Sequence, residues 1–447
     1  MKLKLFLISI LILLFLVVPR YILGFSIWHL GDAINVAANM GAKLACSGKF
    51  ISQLSPHQIK QDLLSYSPAN SLVTFDYNTQ EQSVTTDLYG LSTATAKLHP
   101  ALGCILQMED ASPLPPIEVN RKPANTALWP QGGTVNTIPE KQAALDALLS
   151  QDNEADLQTR ALVWIENGEL IAESYASGFD SNSMLLGWSM GKSLSAIMFA
   201  RMEQLGLADR NQKALFPEWE TDKRREITLE SLLRMSSGLK FDETYAPGSD
   251  STKMLFLAPS ASDVALTASA EHEPNTYFSY SSGTTNILNR WMHEQLGATP
   301  RSSYQFLNDE IFDKLNMRHS ILETDPSGVF VGSSYIYASA RDWARLGQLM
   351  LDEGRVGNEQ LIPKSWVKAA SRPNHSQNYA AYGYQFWLNQ NAEGLEYPDL
   401  PKDAYFMLGN RKQAVMIAPS QNTIIVRLGW TSGSYPMNDN FSKLLQR

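Results

Sequence analysis

Two pairs of short apolar segments, one after the first third of the chain and one at its end, limit the fold more than any other feature. Residues 161–165 and 170–175 flank Asn167-Gly168, a dipeptide strongly typical of a two-residue hairpin turn. Residues 414–418 and 423–428 form the second pair, around a four-residue turn. Hairpins this far apart in the sequence predict one antiparallel sheet that is built from both ends of a domain.

Between the two hairpins the pattern is mostly helical, from Ser189 to about Asp352. Residues 139–149 predict another helix, with a proline in its first turn. Strands and helices do not alternate regularly, which argues against a doubly wound parallel sheet. We therefore predict an α+β domain over residues 137–447, in which an antiparallel β-sheet is flanked by helices and carries an inserted, mostly helical subdomain.

The composition excludes several classes of protein. The chain has 447 residues, of which 44% are hydrophobic and 18% charged, and this excludes a long disordered chain or a coiled coil. The formal net charge is −8, so we expect no nucleic-acid partner. Two cysteines and seven histidines, without an H-E-x-x-H motif, cannot form a Cys-rich zinc site. We predict neither a metal nor an organic cofactor.

Residues 1–28 are predicted to be a membrane anchor or signal segment. Two lysines among the first four residues precede an uncharged run at residues 5–18, and residues 21–28 extend it enough to cross a bilayer. No small-x-small cleavage site follows promptly. We predict an uncleaved anchor in a bacterial inner membrane, with the catalytic domain in the periplasm. Cleavage before Ala38 and secretion to the periplasm is the alternative.

Residues 29–136 are predicted to form a small N-terminal α+β module and a linker. A helical pattern around residues 27–40 is followed by strand-like runs at residues 72–77, 83–89 and 93–98. Prolines concentrated between residues 112 and 130 indicate the linker.

Export to the periplasm accounts for the two cysteines. Cys46 and Cys104 are predicted to form a disulfide, because such bonds persist in oxidising compartments and a bridge here would close a long loop. Two buried free thiols are the alternative.

Ser189 and Lys192 are the strongest candidate catalytic residues. Positions i and i+3 share a helical face, so Lys192 is expected beside the Ser189 hydroxyl at the start of a buried helix. A lysine can activate a serine when burial disfavours its charged form, and the helix start aims backbone N–H groups at a developing oxyanion. S-x-x-K also occurs at Ser237/Lys240 and Ser365/Lys368, where we expect surface lysines.

The same serine lies in Gly187-Trp188-Ser189-Met190-Gly191, which matches the G-x-S-x-G elbow of α/β-hydrolases. That chemistry needs an acidic residue and then a histidine downstream. The available histidines are His272, His293, His319 and His375. This alternative stays open on the residues alone.

A third group favours the lysine chemistry. Residues 274–283 form a compact segment of aromatic and hydroxyl residues that contains Tyr280 and Ser282. A phenol held near an ammonium group can become phenolate-like and pass protons between a nucleophile and a leaving group.

Together these segments resemble the serine β-lactamase and penicillin-binding-protein superfamily, and within it the branch of class C β-lactamases, esterases and 6-aminohexanoate-dimer hydrolases. Residues 189–192 look like its S-x-x-K motif, and Tyr280-Ser281-Ser282 looks like its Y-x-N motif with serine in place of asparagine. Segments at residues 232–239, 335–347 and 382–387 also resemble this family. The resemblance covers roughly residues 137–447 and implies Ser189, Lys192 and Tyr280 as the catalytic residues.

The third family motif is altered. The family places K-T-G or H-x-G on the strand beside the site, and that place falls here on Asn410-Arg411-Lys412 followed by Gln413. The resemblance implies that the backbone N–H groups of Ser189 and Gln413 form the oxyanion hole. A basic side chain here, Arg411 or Lys412, could pair with a substrate carboxylate; solvated charges at a strand end are the alternative. Asn410 belongs to the same predicted substrate-binding segment.

We therefore predict an exported serine hydrolase that cleaves a small-molecule amide or ester through an acyl-enzyme on Ser189. Lys192 and Tyr280 are predicted to be a coupled proton-transfer pair, and Ser282 to orient that pair or hold the substrate. A non-catalytic protein that binds peptide or peptidoglycan on the same fold is the rival hypothesis, motivated by the altered third motif.

Overall fold

A central antiparallel sheet of six strands organises the protein. The structure, a computed structural model, describes residues 25–119, 122–123, 125–391 and 394–446. The strands are β1 (Thr74–Asn78), β2 (Ser83–Asp87), β3 (Thr93–His99), β4 (Gly103–Leu106), β5 (Thr159–Glu166), β6 (Glu169–Tyr175), β7 (Leu185–Leu186), β8 (Ser320–Leu322), β9 (Ile336–Ala338), β10 (Arg355–Val356), β11 (Glu359–Gln360), β12 (Trp387–Leu388), β13 (Gln390–Asn391), β14 (Gly394–Leu395), β15 (Tyr405–Gly409), β16 (Gln413–Ala418) and β17 (Thr423–Gly429). The order across the central sheet is β12-β15-β16-β17-β5-β6.

Most of the α-helices lie between β6 and β15 in the sequence. In the fold, helices cover both faces of the central sheet. The α-helices are α1 (Leu30–Phe50), α2 (Pro56–Leu64), α3 (Pro139–Glu154), α4 (Met190–Gln204), α5 (Leu229–Leu233), α6 (Asp250–Phe256), α7 (Ala261–Leu266), α8 (Ser282–Gln295), α9 (Pro300–Leu307), α10 (Ala340–Leu351), α11 (Lys364–Ala370) and α12 (Met437–Leu445). Single turns of 3-10 or π-helix lie at Ile27–His29, Pro68–Leu72, Pro217–Trp219, Lys223–Glu226, Asn308–Phe312, Asn410–Lys412 and Pro419–Gln421.

Both predicted hairpins are confirmed, and they pair with each other. The turn between β5 and β6 has Asn167 at φ 54° and Gly168 at φ 80°, the left-handed conformations for which Asn-Gly is preferred. Strand β17 pairs antiparallel with β5, with Val426 opposite Val163. The chain end thus closes the sheet that residues 159–175 begin. The predicted α+β class with an antiparallel sheet is confirmed.

The two faces of the sheet bury different clusters, as the period of two along a strand requires. In β17, Ile424 and Val426 face the main core, which includes α4 and α10, whereas Ile425 faces a second cluster formed with α3 and α12. The sheet is therefore covered by helices on both sides. The main core also holds α4 rigidly, and this helix begins immediately after Ser189.

The N-terminal module packs directly on the rest of the protein. Helix α1 lies across the four-stranded sheet β1-β2-β3-β4. Their shared core continues into Trp188, Tyr335 and Trp430 of the later chain. The predicted anchor falls almost entirely on residues outside the described part, which starts at Phe25. None of the helices in the described ranges has the length and apolar character needed to cross a membrane.

Cys46 of α1 and Cys104 of β4 are joined by a disulfide in the structure. The bond closes a loop with a sequence separation of 58 and ties the helix of the module to the last strand of its sheet. Cross-links of this kind stabilise a fold largely by restricting the unfolded chain.

Reduction of this disulfide is expected to lower the free energy of unfolding by about 2–4 kcal/mol. Urea titrations with and without reductant measure the difference, and mass analysis of the oxidised protein should show a peptide that links Cys46 to Cys104. As a control, reductant should leave the unfolding midpoint of the C46A/C104A double variant unchanged. A wild-type midpoint that does not respond to reductant would contradict the prediction.

Candidate active site

Ser189 lies at the start of the buried helix α4, where it is the residue that precedes the first helical turn. The flanking glycines are required by packing: a Cβ on Gly187 would lie 2.5 Å from the Trp343 ring, and one on Gly191 would lie 2.5 Å from the Gly332 carbonyl oxygen. The backbone N–H groups of the first turn donate to the carbonyls of residues 187–189, at 2.9–3.2 Å. The turn that carries the Ser189 hydroxyl is therefore fixed to the start of the helix.

Lys192 projects from the first turn of α4 toward Ser189 and is only 1% exposed. Its Nζ donates hydrogen bonds to the Ser189 Oγ at 3.1 Å, the Ser282 Oγ at 2.9 Å and the backbone carbonyl of Ser333 at 3.1 Å. Asn286 in turn holds Ser333, accepting from its backbone N–H at 3.2 Å. Lys192 is thus fixed in one position by three chain segments.

Tyr280 and Ser282 approach Lys192 from the start of helix α8. The Lys192 Nζ lies 4.7 Å from the centroid of the Tyr280 ring. Ser281 caps α8 by accepting from the backbone N–H of Thr284 at 3.0 Å, and this places the residues on either side of it toward α4. The structure therefore brings Ser189, Lys192, Tyr280 and Ser282 together at the meeting of two helix starts.

Glu243 is a member of this site that the sequence did not reveal. Its carboxylate accepts from the Ser282 Oγ at 2.5 Å and from the Ser282 backbone N–H at 2.8 Å. The Tyr245 hydroxyl donates to the same carboxylate at 2.8 Å. Glu243 lies in an irregular segment before α6, so no periodic pattern connects it with Ser282. A hydrogen-bonded chain thus runs from Ser189 through Lys192 and Ser282 to Glu243.

An aromatic cluster borders Tyr280 on one side. The centroid of the Tyr280 ring lies 5.1 Å from that of the Trp387 ring and 6.0 Å from that of the Tyr382 ring. Phe278 and Tyr379 complete the cluster. Burial raises the pKa of the Tyr382 phenol well above its ordinary value. Tyr382 therefore stays neutral and forms an apolar wall beside the reacting groups.

The third motif reaches the site through the end of β15. A Cβ on Gly409 would lie 2.1 Å from the carbonyl oxygen of Gly187, so this strand end lies against the residues just before Ser189. The Gln413 side chain turns into the sheet, where its Oε1 accepts from the backbone N–H of Gly429 at 2.9 Å. The side chain of Gln413 is therefore engaged within the sheet, and the predicted oxyanion role would fall to its backbone N–H.

Arg411 is directed away from Ser189. Its guanidinium lies 3.9 Å from the centroid of the Tyr66 ring and donates to the Ser432 Oγ at 3.0 Å, with 8% of the residue exposed. The backbone bends between β15 and β16, where Arg411 and Lys412 adopt φ values of 61° and 63°. Asn410 and Lys412 stay exposed beside it. Arg411 thus binds the N-terminal module, which leaves Lys412 as the cation of this segment that a substrate carboxylate could reach.

The α/β-hydrolase alternative is wrong, since all strand pairs of the central sheet are antiparallel. The backbone agrees, because Ser189 has an ordinary φ of −63° rather than the strained conformation of a nucleophile elbow. His293, on α8, bonds through Nδ1 to the Ser303 Oγ at 2.9 Å, and the His272 ring stacks on Tyr277.

The lysines of the other two S-x-x-K sequences lie at the surface, as predicted. Lys240 pairs with Glu271 at the surface, and its side chain is 64% exposed. Ser365 and Lys368 are both exposed on α11. Burial therefore distinguishes Lys192 from the lysines of the other two motifs.

A family model described as Beta-lactamase matches residues 145–443, about two thirds of the chain. This chain belongs to the beta-lactamase family. The resemblance seen in the sequence is therefore confirmed, and the matched region includes the segments that supply Ser189, Lys192, Glu243, Tyr280 and Gln413.

Individual relatives of this beta-lactamase family member are distant. The 6-aminohexanoate-dimer hydrolase of Paenarthrobacter ureafaciens is 23% identical over 321 residues, which cover 65% of this chain and 79% of that protein. Two solved structures show the same fold. A penicillin-binding-protein homologue from Caulobacter crescentus is 16% identical with a TM-score of 0.53, over 70% of this chain and 97% of its own. A family VIII carboxylesterase is 13% identical with a TM-score of 0.55, over 70% of this chain and 99% of its own.

Glu243→Gln is expected to lower kcat/KM for an ester substrate on the order of tenfold, because displacing a supporting group by a fraction of an ångström disturbs the reacting geometry. The carboxylate accepts these two bonds on different oxygens, and the amide replaces one of those oxygens with an NH₂ donor. Steady-state assays measure the change. Glu271→Gln removes an exposed carboxylate and should leave kcat/KM unchanged. Wild-type kinetics in Glu243→Gln would show that this carboxylate does not position Lys192.

Proposed function

We propose that this protein hydrolyses an amide or ester through an acyl-enzyme on Ser189. The observation that carries the proposal is the buried Lys192 Nζ, 3.1 Å from the Ser189 Oγ, 2.9 Å from the Ser282 Oγ and close to the Tyr280 ring. A serine hydroxyl is a weak nucleophile until a neighbouring base takes its proton. The hydrolase and esterase names of the relatives support the same reaction class.

In the first step the Ser189 Oγ attacks the substrate carbonyl carbon, and its proton passes to the Lys192/Tyr280 pair, which acts as one coupled unit. Backbone N–H groups of Ser189 and Gln413 stabilise the oxyanion. The bond to the leaving group then breaks, and that group departs with the proton from the pair. Water attacks the acyl-enzyme, the acid is released, and the Ser189 hydroxyl is restored. Ser282 and Glu243 hold the pair in position throughout.

Labelling with a fluorophosphonate, which modifies activated serines, tests the proposal. Peptide mapping of the treated full chain is expected to show one adduct, on Ser189, and Ser189→Ala should take up no label and lose ester turnover. Ser365→Ala, at the exposed serine of another S-x-x-K sequence, should label like the wild type. A folded protein without an adduct and without Ser189-dependent turnover would favour the non-catalytic binding protein.

We also propose that the catalytic domain is exported and held at the inner membrane by the segment that ends near Trp28. The Cys46–Cys104 bond supports this, because disulfides persist in oxidising compartments. Protease added to spheroplasts should digest the domain, and a soluble periplasmic form would instead indicate cleavage of the segment. Protection of the domain until the cells are lysed would contradict export.

A further inference from the structure

A large cavity lies between the N-terminal module and the catalytic domain. Its volume is about 620 Å³, within the range of small-molecule sites. The module contributes α1 residues such as Ile34, Ala37 and Met40, together with Leu72 and Leu88. None of the described residues that line it is Asp, Glu, Lys, Arg or His. The cavity is thus suited to an uncharged, apolar group.

The opposite wall belongs to the active site. Trp188 directly precedes Ser189, Tyr245 donates to the Glu243 carboxylate that holds Ser282, and Asn410 begins the altered third motif. All three line the cavity. The cavity is therefore lined by the residue that precedes the nucleophile and by a residue that contacts Glu243.

Side chains packed against one another form the wall of the cavity. The Tyr66 ring lines it and packs edge-on against Trp188 at 6.1 Å, and Arg411 covers the same ring at 3.9 Å. At the other end, a Cβ on Gly248 would lie 2.3 Å from the His29 ring, so the loop after Tyr245 touches the start of the module. The N-terminal module therefore packs against Trp188 and against the loop that follows Tyr245, with the cavity between them.

The mouth of the cavity is apolar as well. Leu30 and Leu72 line it and are 45% and 46% exposed. Tyr89, next to the lining residue Leu88 in the chain, is 72% exposed. Exposed apolar residues at a cavity are typical of a site that binds an apolar ligand.

We infer that this cavity takes an unbranched alkyl chain of the substrate, so that the proposed hydrolase acts on lipophilic esters or amides. The inference rests on the proposed function. An alkyl chain is the occupant that matches an uncharged lining, exposed leucines in that lining and a wall that includes Trp188, the neighbour of Ser189 in the chain. The chain can belong to the acyl part or to the leaving alcohol or amine, and both share the same apolar chemistry.

Two ester series test the inference on the full chain in lipid nanodiscs. The first is 4-nitrophenyl esters from acetate to octanoate, and the second is acetate esters of alcohols from ethanol to octanol. Each methylene buried in the cavity adds up to about fourfold in kcat/KM. We expect kcat/KM to rise by at least about 10²-fold along one series, and that series identifies the part of the substrate that enters. A change of less than about threefold along both series, with Ser189-dependent turnover of acetate intact, would overturn the inference and leave the proposed function standing.

Variants that fill the cavity provide a second test of the inference. Ala37→Phe adds a large side chain to its wall and is expected to lower kcat/KM for the long-chain ester about tenfold while acetate turnover stays within about twofold. Asn35→Phe adds the same ring on the exposed side of α1 and should change neither value. If Ala37→Phe does not fold, the smaller Ala33→Leu change takes its place. Equal loss on short and long esters in a folded variant would contradict the inference.

Discussion

Replacing Lys192 with alanine is expected to lower kcat/KM for an ester substrate by about 10²–10⁴-fold, the usual contribution of a positioned general base. The Lys192 Nζ is the side-chain nitrogen that contacts the Ser189 Oγ, at 3.1 Å, and it also holds Ser282 and the Ser333 carbonyl. Its removal takes away the amine of the proton-transfer pair that contacts the serine and frees two of the groups that shape the site.

Two further variants make this prediction specific. Lys192→Arg keeps a cation but cannot give up its proton, so it should be as inactive as Lys192→Ala. Lys240→Ala removes the exposed lysine of another S-x-x-K sequence and should retain wild-type kcat/KM. Steady-state assays, with circular dichroism to verify folding, provide the measurements. Full activity in Lys192→Ala would remove lysine from the proposed mechanism.

Lys43→Met is expected to lower the free energy of unfolding by about 3–5 kcal/mol, the cost of leaving a buried charge without its partner. The Lys43 Nζ lies 2.7 Å from the Glu323 Oε2, with side-chain exposures of 2% and 0%. Glu323 also accepts from the backbone N–H of Cys104 at 2.7 Å and from the Ser47 Oγ at 2.8 Å. Burial lowers the pKa of Lys43 and raises the pKa of Glu323, while each partner's charge opposes those shifts. This pair therefore joins the N-terminal module to the catalytic domain.

Urea unfolding measures the effect through the midpoint and slope. Lys97→Met breaks an exposed pair with Glu81 and should cost less than about 1 kcal/mol. The double variant K43M/E323L removes both charges and should recover much of the loss, since apolar replacements of a buried pair are often neutral. A loss of less than about 1 kcal/mol in Lys43→Met would show that Glu323 finds another partner.

The local sequence predicted the elements that depend on neighbours in the chain. Asn167-Gly168 predicted a tight hairpin, and the apolar segment 423–428 predicted a strand of the second hairpin. The i, i+3 spacing predicted correctly that Lys192 approaches Ser189, because that distance depends on helix geometry alone.

Contacts between distant segments could not be predicted in this way. Arg411 was a candidate partner for a substrate carboxylate, but its guanidinium covers Tyr66 of the module, because a bend at residues 411–412 turns it away. Glu243 has no sequence pattern that links it with Ser282. No apparent function could be assigned to the module, yet its α1 forms one wall of the cavity beside Trp188.

The sequence by itself determined the antiparallel α+β fold, the family and the serine–lysine pair, because short-range backbone geometry and local motifs encode them. Only the tertiary structure decided which carboxylate supports Ser282, where Arg411 points and what encloses the apolar cavity. Those features depend on side chains that are far apart in the chain and meet only when burial of the shared core brings the module and the catalytic domain together.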